Sequence, residues 1–506
     1  MVCSVRMQII LLIFWNKEDP QMNKKTICTL LALAILLAST TACGGTASTD
    51  TTADTTPEVT TEPPRDDLPD MTFGGETFNI LCRTEWAYEF DVEETGDVVD
   101  DAIWARNRAV EERFDVKLAF THVNGLWDDR EGFLGAISTS VMANDGAYDM
   151  VAGYQAYMVT PALEGLLLNI LTMEHIDPEA KWWSQKCVES TTVNGKLFLL
   201  PGDIALSLWE SIFVMYYNKQ LAKEYEIDDL YALVNDGKWT HDKLYELSTK
   251  VSADVNGDSQ FDENDLYGFA SSNDNHARVW FAPYDLPITT RNADGFMEMS
   301  YNTARTHNAL EKLVQLYSAQ SSYKKFMEFD ELHSGWKGSN MFSENRVLFA
   351  PAFLQTATKL RAMETDFGII PLPKFDENQE DYITTVHDST SVVCFPKTVK
   401  NAEMSGLIAE ALCIYSHYDV IPEYYELTLK TKGARDEESG EMIDLIRDSV
   451  MFDFGALHTV PMNGTIDLLG NLIVQGNTNF ASKYASKEKS FEANLAAINE
   501  AYKNAE

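Results

Sequence analysis

Tyr148-Asp149-Met150-Val151-Ala152 is the third strand-like stretch in a row, and its neighbours decide how it is read. Upstream, Phe78-Asn79-Ile80-Leu81-Cys82 has a buried-strand pattern after the Gly74-Gly75 turn, and Val116 to Thr121 reads as a second strand. Helical stretches separate the three: about Val98 to Phe114, then residues 131–143. Strands that alternate with helices predict an α/β fold, a parallel sheet covered by helices. In such sheets a ligand sits beyond the carboxyl ends of the strands. Two loops therefore become candidates: Glu85-Trp86 after the first strand, and Gly153 to Tyr157 after the third, which carries Tyr154, Gln155 and Tyr157.

A chain of 506 residues is too long for one core, which stops growing near roughly 250–300 residues, so two lobes are expected. The formal net charge of −38 repels phosphate backbones and anionic headgroups. That argues against nucleic acid and against an anionic ligand, and it suits solubility outside a cell.

The leader points the same way. Lys24 and Lys25 precede an apolar run from Leu30 to Ala38, the pattern of a signal peptide over residues 1–42. That run is too short to span a membrane comfortably. Thr41-Ala42-Cys43-Gly44 resembles a bacterial lipobox, with Cys43 as the lipidated residue, although Thr40 stands where Leu is usual. Met22 is the more natural start. Residues 43–70, rich in Thr, Asp, Glu and Pro, read as a flexible tether on a lipid anchor at the outer face of a cell membrane. Of the remaining cysteines, Cys82, Cys394 and Cys413 lie in apolar runs as core residues. With Cys187 they form no CxxC or Cys/His cluster.

The sharpest local motif is Asp254-Val-Asn256-Gly-Asp258-Ser-Gln260-Phe-Asp262-Glu-Asn-Asp265. Counted from Asp254, side-chain oxygens fall at positions 1, 3, 5, 9 and 12, and Gln260 at position 7 would offer its carbonyl. This is the ligand spacing of an EF-hand-type calcium loop, and Ca2+ prefers such hard oxygen ligands. Two departures are Ser259 at position 6, where Gly is usual, and Asp265 at position 12, where Glu is usual. The shorter Asp resembles the calcium loops of dockerins. A structural Ca2+ is expected here, and no organic cofactor.

Several further runs carry a family resemblance. They are Tyr148-Asp-Met-Val-Ala-Gly-Tyr, Leu163-Glu-Gly-Leu-Leu-Leu-Asn, Asn194-Gly-Lys-Leu-Phe-Leu-Leu-Pro-Gly and Val214-Met-Tyr-Tyr-Asn-Lys-Gln-Leu. Gly237-Lys-Trp-Thr, Asp366-Phe-Gly-Ile-Ile-Pro-Leu-Pro-Lys and Val393-Cys-Phe-Pro follow. The ordered set is similar to family 1 extracellular solute-binding proteins of ABC importers. The resemblance implies a two-lobed periplasmic-binding-protein-like fold of type II, with a hinge of crossing strands near Ile212 to Tyr217, near Val347 to Pro351 and after Ser391 to Phe395. Lobe 1 would hold residues 71–213 with 351–395, and lobe 2 residues 214–350 with 396–506. It also implies a monomer that captures a small polar solute, a mono- or oligosaccharide, and delivers it to a permease.

Sugars present C–H faces to aromatic rings and hydroxyls to polar groups, and 10 Trp, 21 Tyr and 25 Phe supply many faces. Trp209 and Glu210 precede the first hinge strand, Trp280 follows the turn Asn273 to His276, and Phe353 follows the second crossing. His387 and Asp388 lie between Thr384 and Ser391. Trp182-Trp183 and Trp239 read as structural, Trp239 beside Thr240 as a helix cap. No GxSxG, HExxH or Walker loop appears, and nine scattered His residues give no nucleophile pair, so no catalytic residues are assigned. The other readings are a secreted carbohydrate-active enzyme and a peptide or polyamine binder of the same fold.

Overall fold

The computed structural model describes residues 66–271, 275–323, 329–330, 335–425 and 437–505. The expected signal segment 1–42, Cys43 and the expected tether through residue 65 lie outside the described residues, as does Asn273. The described residues begin within the expected tether. Asp66 holds Arg113 through both carboxylate oxygens at 2.7 and 2.8 Å. Leu68 and Met71 then pack on the apolar core.

Strand β1 (Glu76–Arg83) pairs in parallel with β2 (Val116–Val123) and β3 (Met150–Tyr154). β14 (Ser391–Cys394) closes the sheet antiparallel to β3. The order is β14-β3-β1-β2. Successive side chains on a strand face opposite ways. Phe78, Ile80 and Cys82 therefore meet Val110 and Phe114 of the helix Val98–Phe114, while Leu81 meets Phe133 and Ile137 of the helix Arg130–Ala143. Asp97 caps the first of these helices by accepting from the Val99 amide at 3.0 Å. Both helices end on a left-handed residue, Asp115 at φ 47° and Asn144 at φ 51°, which turns the chain back toward the sheet.

The second sheet runs β13-β4-β12-β6-β5. Its strands are β4 (Phe213–Asn218), β5 (Ser252–Ala253), β6 (Leu266–Ala270), β12 (Val347–Phe353) and β13 (Phe367–Ile370), with β9 (Ser322–Tyr323) beside β6. Here the expectation of a mainly parallel sheet needs amending. β12 and β6 run parallel, but β4 is antiparallel to both β12 and β13. Hairpins β7 (Thr289–Arg291) with β8 (Met297–Met299), and β10 (Phe329–Asp330) with β11 (Gly335–Trp336), stand apart. One face of the large sheet covers Trp239 and Leu244, and the other covers Ile443 and Ile446 of the helix Glu437–Asp448. Trp239 donates to the Pro371 carbonyl at 2.8 Å, and Thr240 caps the helix His241–Lys250.

The division of the chain differs from the sequence reading in two places. β12 and β13 both belong to the second sheet, so the chain does not change lobes near Val347 to Pro351 but returns through residues 384–390. The helix Ala402–Tyr415 packs Leu407, Ile408 and Leu412 against β1, and so joins the first lobe. Apolar strands and helices carry no mark of which sheet they cover. Cys82, Cys187, Cys394 and Cys413 are all buried and free. No helix among the described residues is long and apolar enough to cross a membrane.

Gly268 of β6 shows how closely the layers meet: a Cβ there would stand 1.9 Å from the Ser248 carbonyl oxygen. Backbone cannot swing aside, so Gly268→Ala is expected to cost about 1–3 kcal/mol, the usual size of overpacking. Urea denaturation reads the loss; an unchanged midpoint would mean that strand and helix are not in this contact.

Candidate functional site

Both lobes and the segment that joins them wall one cleft of about 710 Å³. Trp127, Arg130 and Tyr154 come from the first lobe; Arg278, Asn463, Asp467 and Asn471 come from the second; His387 and Asp388 lie between. The volume falls within the ~300–1,000 Å³ usual for small-molecule sites.

Each wall has a local cause. Tyr154 ends β3, so its ring stands at the carboxyl edge of the first sheet. Trp127 follows β2 and is 45% exposed, with the Arg130 guanidinium 4.7 Å from its ring. Asn463 and Gly464 adopt φ 58° and 71°, a tight turn before the helix Asp467–Val474. Gly470 on that helix lets the Arg278 backbone approach, because a Cβ would meet the Arg278 amide nitrogen at 2.9 Å.

Arg278 is the electrostatic centre. Its Nη2 lies 2.8 Å from Asp388 Oδ1, and its Nη1 lies 3.3 Å from Asp467 Oδ1. Burial pushes the Asp388 carboxyl up, but Arg278, with His387 and the Tyr154 hydroxyl, more than offsets this and holds it below its ordinary value. Asp388 is therefore an ionised, hydrogen-bonded carboxylate, and the Tyr154 hydroxyl sits 3.4 Å from it. Behind this group lies a pocket of about 30 Å³, and the buried Gln155 Oε1 beside it has no hydrogen-bond partner. Such a pocket has the size of one water molecule.

The residues singled out from sequence scatter around this centre. Tyr154 and Asp388 line the cleft, and Gln155 lines the small pocket behind it. Phe353 is half-buried and packs on His387 and Phe213, at 5.2 and 4.8 Å between rings. Glu85 accepts from the Gly125 amide at 3.1 Å, and Trp86 lies 4.2 Å from the Arg83 guanidinium. Tyr157 is fully buried and donates to the Gly125 carbonyl at 2.7 Å. Trp280 is also fully buried and donates to Tyr317 at 2.9 Å, so its ring packs in the core and presents no surface to the cleft.

Trp209 lines a different cleft, of about 430 Å³, with Trp182, Asp203, His417 and Arg447. Its indole donates to Asp203 at 3.0 Å. Glu210 accepts from the Tyr88 hydroxyl, and burial pushes its carboxyl up to about 7. Trp182 and Trp183 both donate to Glu410 at 2.7 Å, in keeping with a structural reading.

Sequence reading missed Trp127, Arg130, Arg278, Asn463, Asp467 and Asn471. For Trp127 a signal existed: it follows a strand of the same parallel sheet, so the carboxyl-end rule covers its loop as well as the two that were named. For the residues of the second lobe there was none, because their turn and helix read like any surface segment.

No protein-family model matches the chain, and no curated protein matches it. Solved structures do. A cyclic alpha-maltosyl-1,6-maltose binding protein from Arthrobacter globiformis aligns at 14% identity and TM-score 0.54, over 85% of this chain and 100% of that one. A cyclo/maltodextrin-binding protein complexed with maltotetraose aligns at 11% identity and TM-score 0.53, over 85% and 97%. An ABC substrate-binding protein from Listeria monocytogenes in complex with cycloalternan aligns at 12% identity and TM-score 0.50, over 84% and 98%. At such identities the shared property is the fold, two lobes of helix-flanked sheets.

Asp388→Ala removes the nearer of the two carboxylates on the largely buried Arg278 and leaves only the more exposed Asp467, an expected cost of about 2–3 kcal/mol. Adding Arg278→Ala should recover part of that loss. A double-mutant cycle in urea checks it, and purely additive losses would show that the pair is uncoupled.

Proposed function

We propose that this chain is the substrate-binding lipoprotein of an ABC importer, anchored through Cys43 at the outer face of the membrane, which captures a mono- or oligosaccharide between its lobes and hands it to the permease. The observation that carries this reading is the interlobe cleft with Trp127 exposed at its edge, Tyr154 in its wall and Asp388, Asn463, Asp467 and Asn471 around it. Aromatic faces stack on the C–H faces of sugars, and carboxylates and amides bond hydroxyls. The fold supports closure of two lobes about a hinge, and the solved structures that share it include proteins named for binding a maltodextrin and a cyclic maltosyl-maltose.

Capture without turnover suits the chemistry. A glycosidase needs one carboxyl kept protonated as the acid. Asp388 is held the opposite way by Arg278, which Asp467 also pairs. Linear and cyclic maltooligosaccharides are the first ligands to test. Binding at 100-fold excess over Kd should add about 2.7 kcal/mol to stability, a clear thermal shift. Trp127→Ala should weaken that binding at least tenfold by calorimetry while leaving the unliganded Tm unchanged. Shortened sugars after incubation, or no response to any saccharide, would defeat the proposal.

The reading includes a structural Ca2+ held by Asp254, Asn256, Asp258, Asp262, Asp265 and the Gln260 carbonyl. The loop that joins β5 to β6 suits such a role. Ser259, at the position where Gly is usual, adopts φ 65°. Asp254 accepts from the Gly257 and Ser259 amides at 2.6 and 2.8 Å, and Asp265 accepts from Val255 and Asp262 at 2.9 Å each. Ca2+ is expected to raise the Tm, and the exposed substitution Asp258→Asn to weaken this response about tenfold. Equal midpoints in Ca2+ and EGTA would remove calcium from the account.

A further inference from the structure

A second group of ligating side chains lies in the first lobe, unused by the cleft and by the loop between β5 and β6. Glu174, His175 and Glu403 each bring one ligand atom within 4.8 Å of the others. His175 Nε2 stands 3.6 Å from Glu403 Oε1. That nitrogen is sealed from solvent and has no hydrogen-bond partner. A buried ring nitrogen left in this way costs free energy, and such an atom calls for an explanation.

The group is held in place from both sides. His175 adopts φ 67°, so its ring projects from a left-handed residue. Gly406, one turn along the helix that begins beside Glu403, lets the Glu174 carbonyl pack directly on the helix: a Cβ at Gly406 would stand 2.1 Å from that oxygen. The main chain of Glu174 and His175 and the first turn of the helix are thus fixed against each other.

We infer that Glu174, His175 and Glu403 bind a divalent first-row transition cation of the Zn2+ class, His175 through Nε2 and each glutamate through a carboxylate oxygen, with water completing the shell. Ligands about 2.1 Å from a tetrahedral ion stand roughly 3.4 Å apart, close to the separation already present between His175 and Glu403. An imidazole ligand favours such cations over Ca2+ and Mg2+, which take oxygen donors. Two carboxylates balance the charge of the ion, and this offsets the helix dipole that disfavours a cation beside Glu403. Both glutamates are exposed, so their side chains can turn to admit the ion to the covered His175 nitrogen and leave room for water. Glu410 already ties Trp182 and Trp183 to the same helix two turns on. A bound cation adds a second staple between that helix and the segment before the two tryptophans.

The test is a calorimetric Zn2+ titration of the full chain, stripped with EDTA and held in saturating Ca2+ so that the loop between β5 and β6 is occupied. One Zn2+ per chain is expected, with a rise in Tm. His175→Asn, which tolerates a positive φ, and Glu403→Gln should each weaken Zn2+ at least tenfold and abolish that rise. Both variants should keep the wild-type circular dichroism and Ca2+ response. Unchanged Zn2+ affinity in either folded variant, or a wild-type chain that ignores Zn2+, overturns the assignment.

Discussion

Arg83, the last residue of β1, and Glu89, at the end of the helical turn that follows, are both fully buried, and the connection between the lobes is built on them. Arg83 donates through Nη2 to the Ser389 carbonyl at 2.7 Å and to Ser391 Oγ at 2.8 Å. Glu89 accepts from Ser391 Oγ at 2.6 Å and from the Ser207 amide at 2.5 Å. Ser207 and Ser391 belong to the two segments through which the chain leaves and re-enters the first lobe. Burial lowers the pKa of Arg83 and raises that of Glu89, and the charge of each opposes the shift of the other. The two charges meet through the Ser391 hydroxyl, and losing one partner from such a buried network is costly, so the network acts to fix geometry.

That geometry reaches the cleft by contact. Gly125 has no side chain because a Cβ would stand 2.5 Å from the Arg83 side chain. Glu85 holds the Gly125 amide and Tyr157 holds its carbonyl, and Trp127 follows two residues later. The exposed ring at the cleft edge is therefore positioned from the core outward. On the other side, Gly470 performs the same service for Arg278. Both walls depend on a glycine that admits an arginine.

Much of the first lobe was legible because its strands and helices alternate in sequence order. The role of Trp239 beside Thr240 was legible for the same reason: the signals are local. What joins distant segments was not. Phe367–Ile370 and the helix Ala402–Tyr415 were placed with the wrong sheets, since their apolar patterns fit either one. Trp280 was named for the cleft and lies in the core, because an aromatic after a polar turn reads alike in both places. Arg278 was overlooked because a cation in a strongly acidic chain looks like surface charge until its two carboxylates, 110 and 189 residues away in sequence, are seen to converge on it.

The grip of Asp66 on Arg113 pins the start of the described chain. A bidentate guanidinium–carboxylate pair is among the stronger polar contacts, and the Leu68 carbonyl also accepts from Arg113 at 3.2 Å. The first described residues are thereby fastened to the helix Val98–Phe114 ahead of the edge of β1.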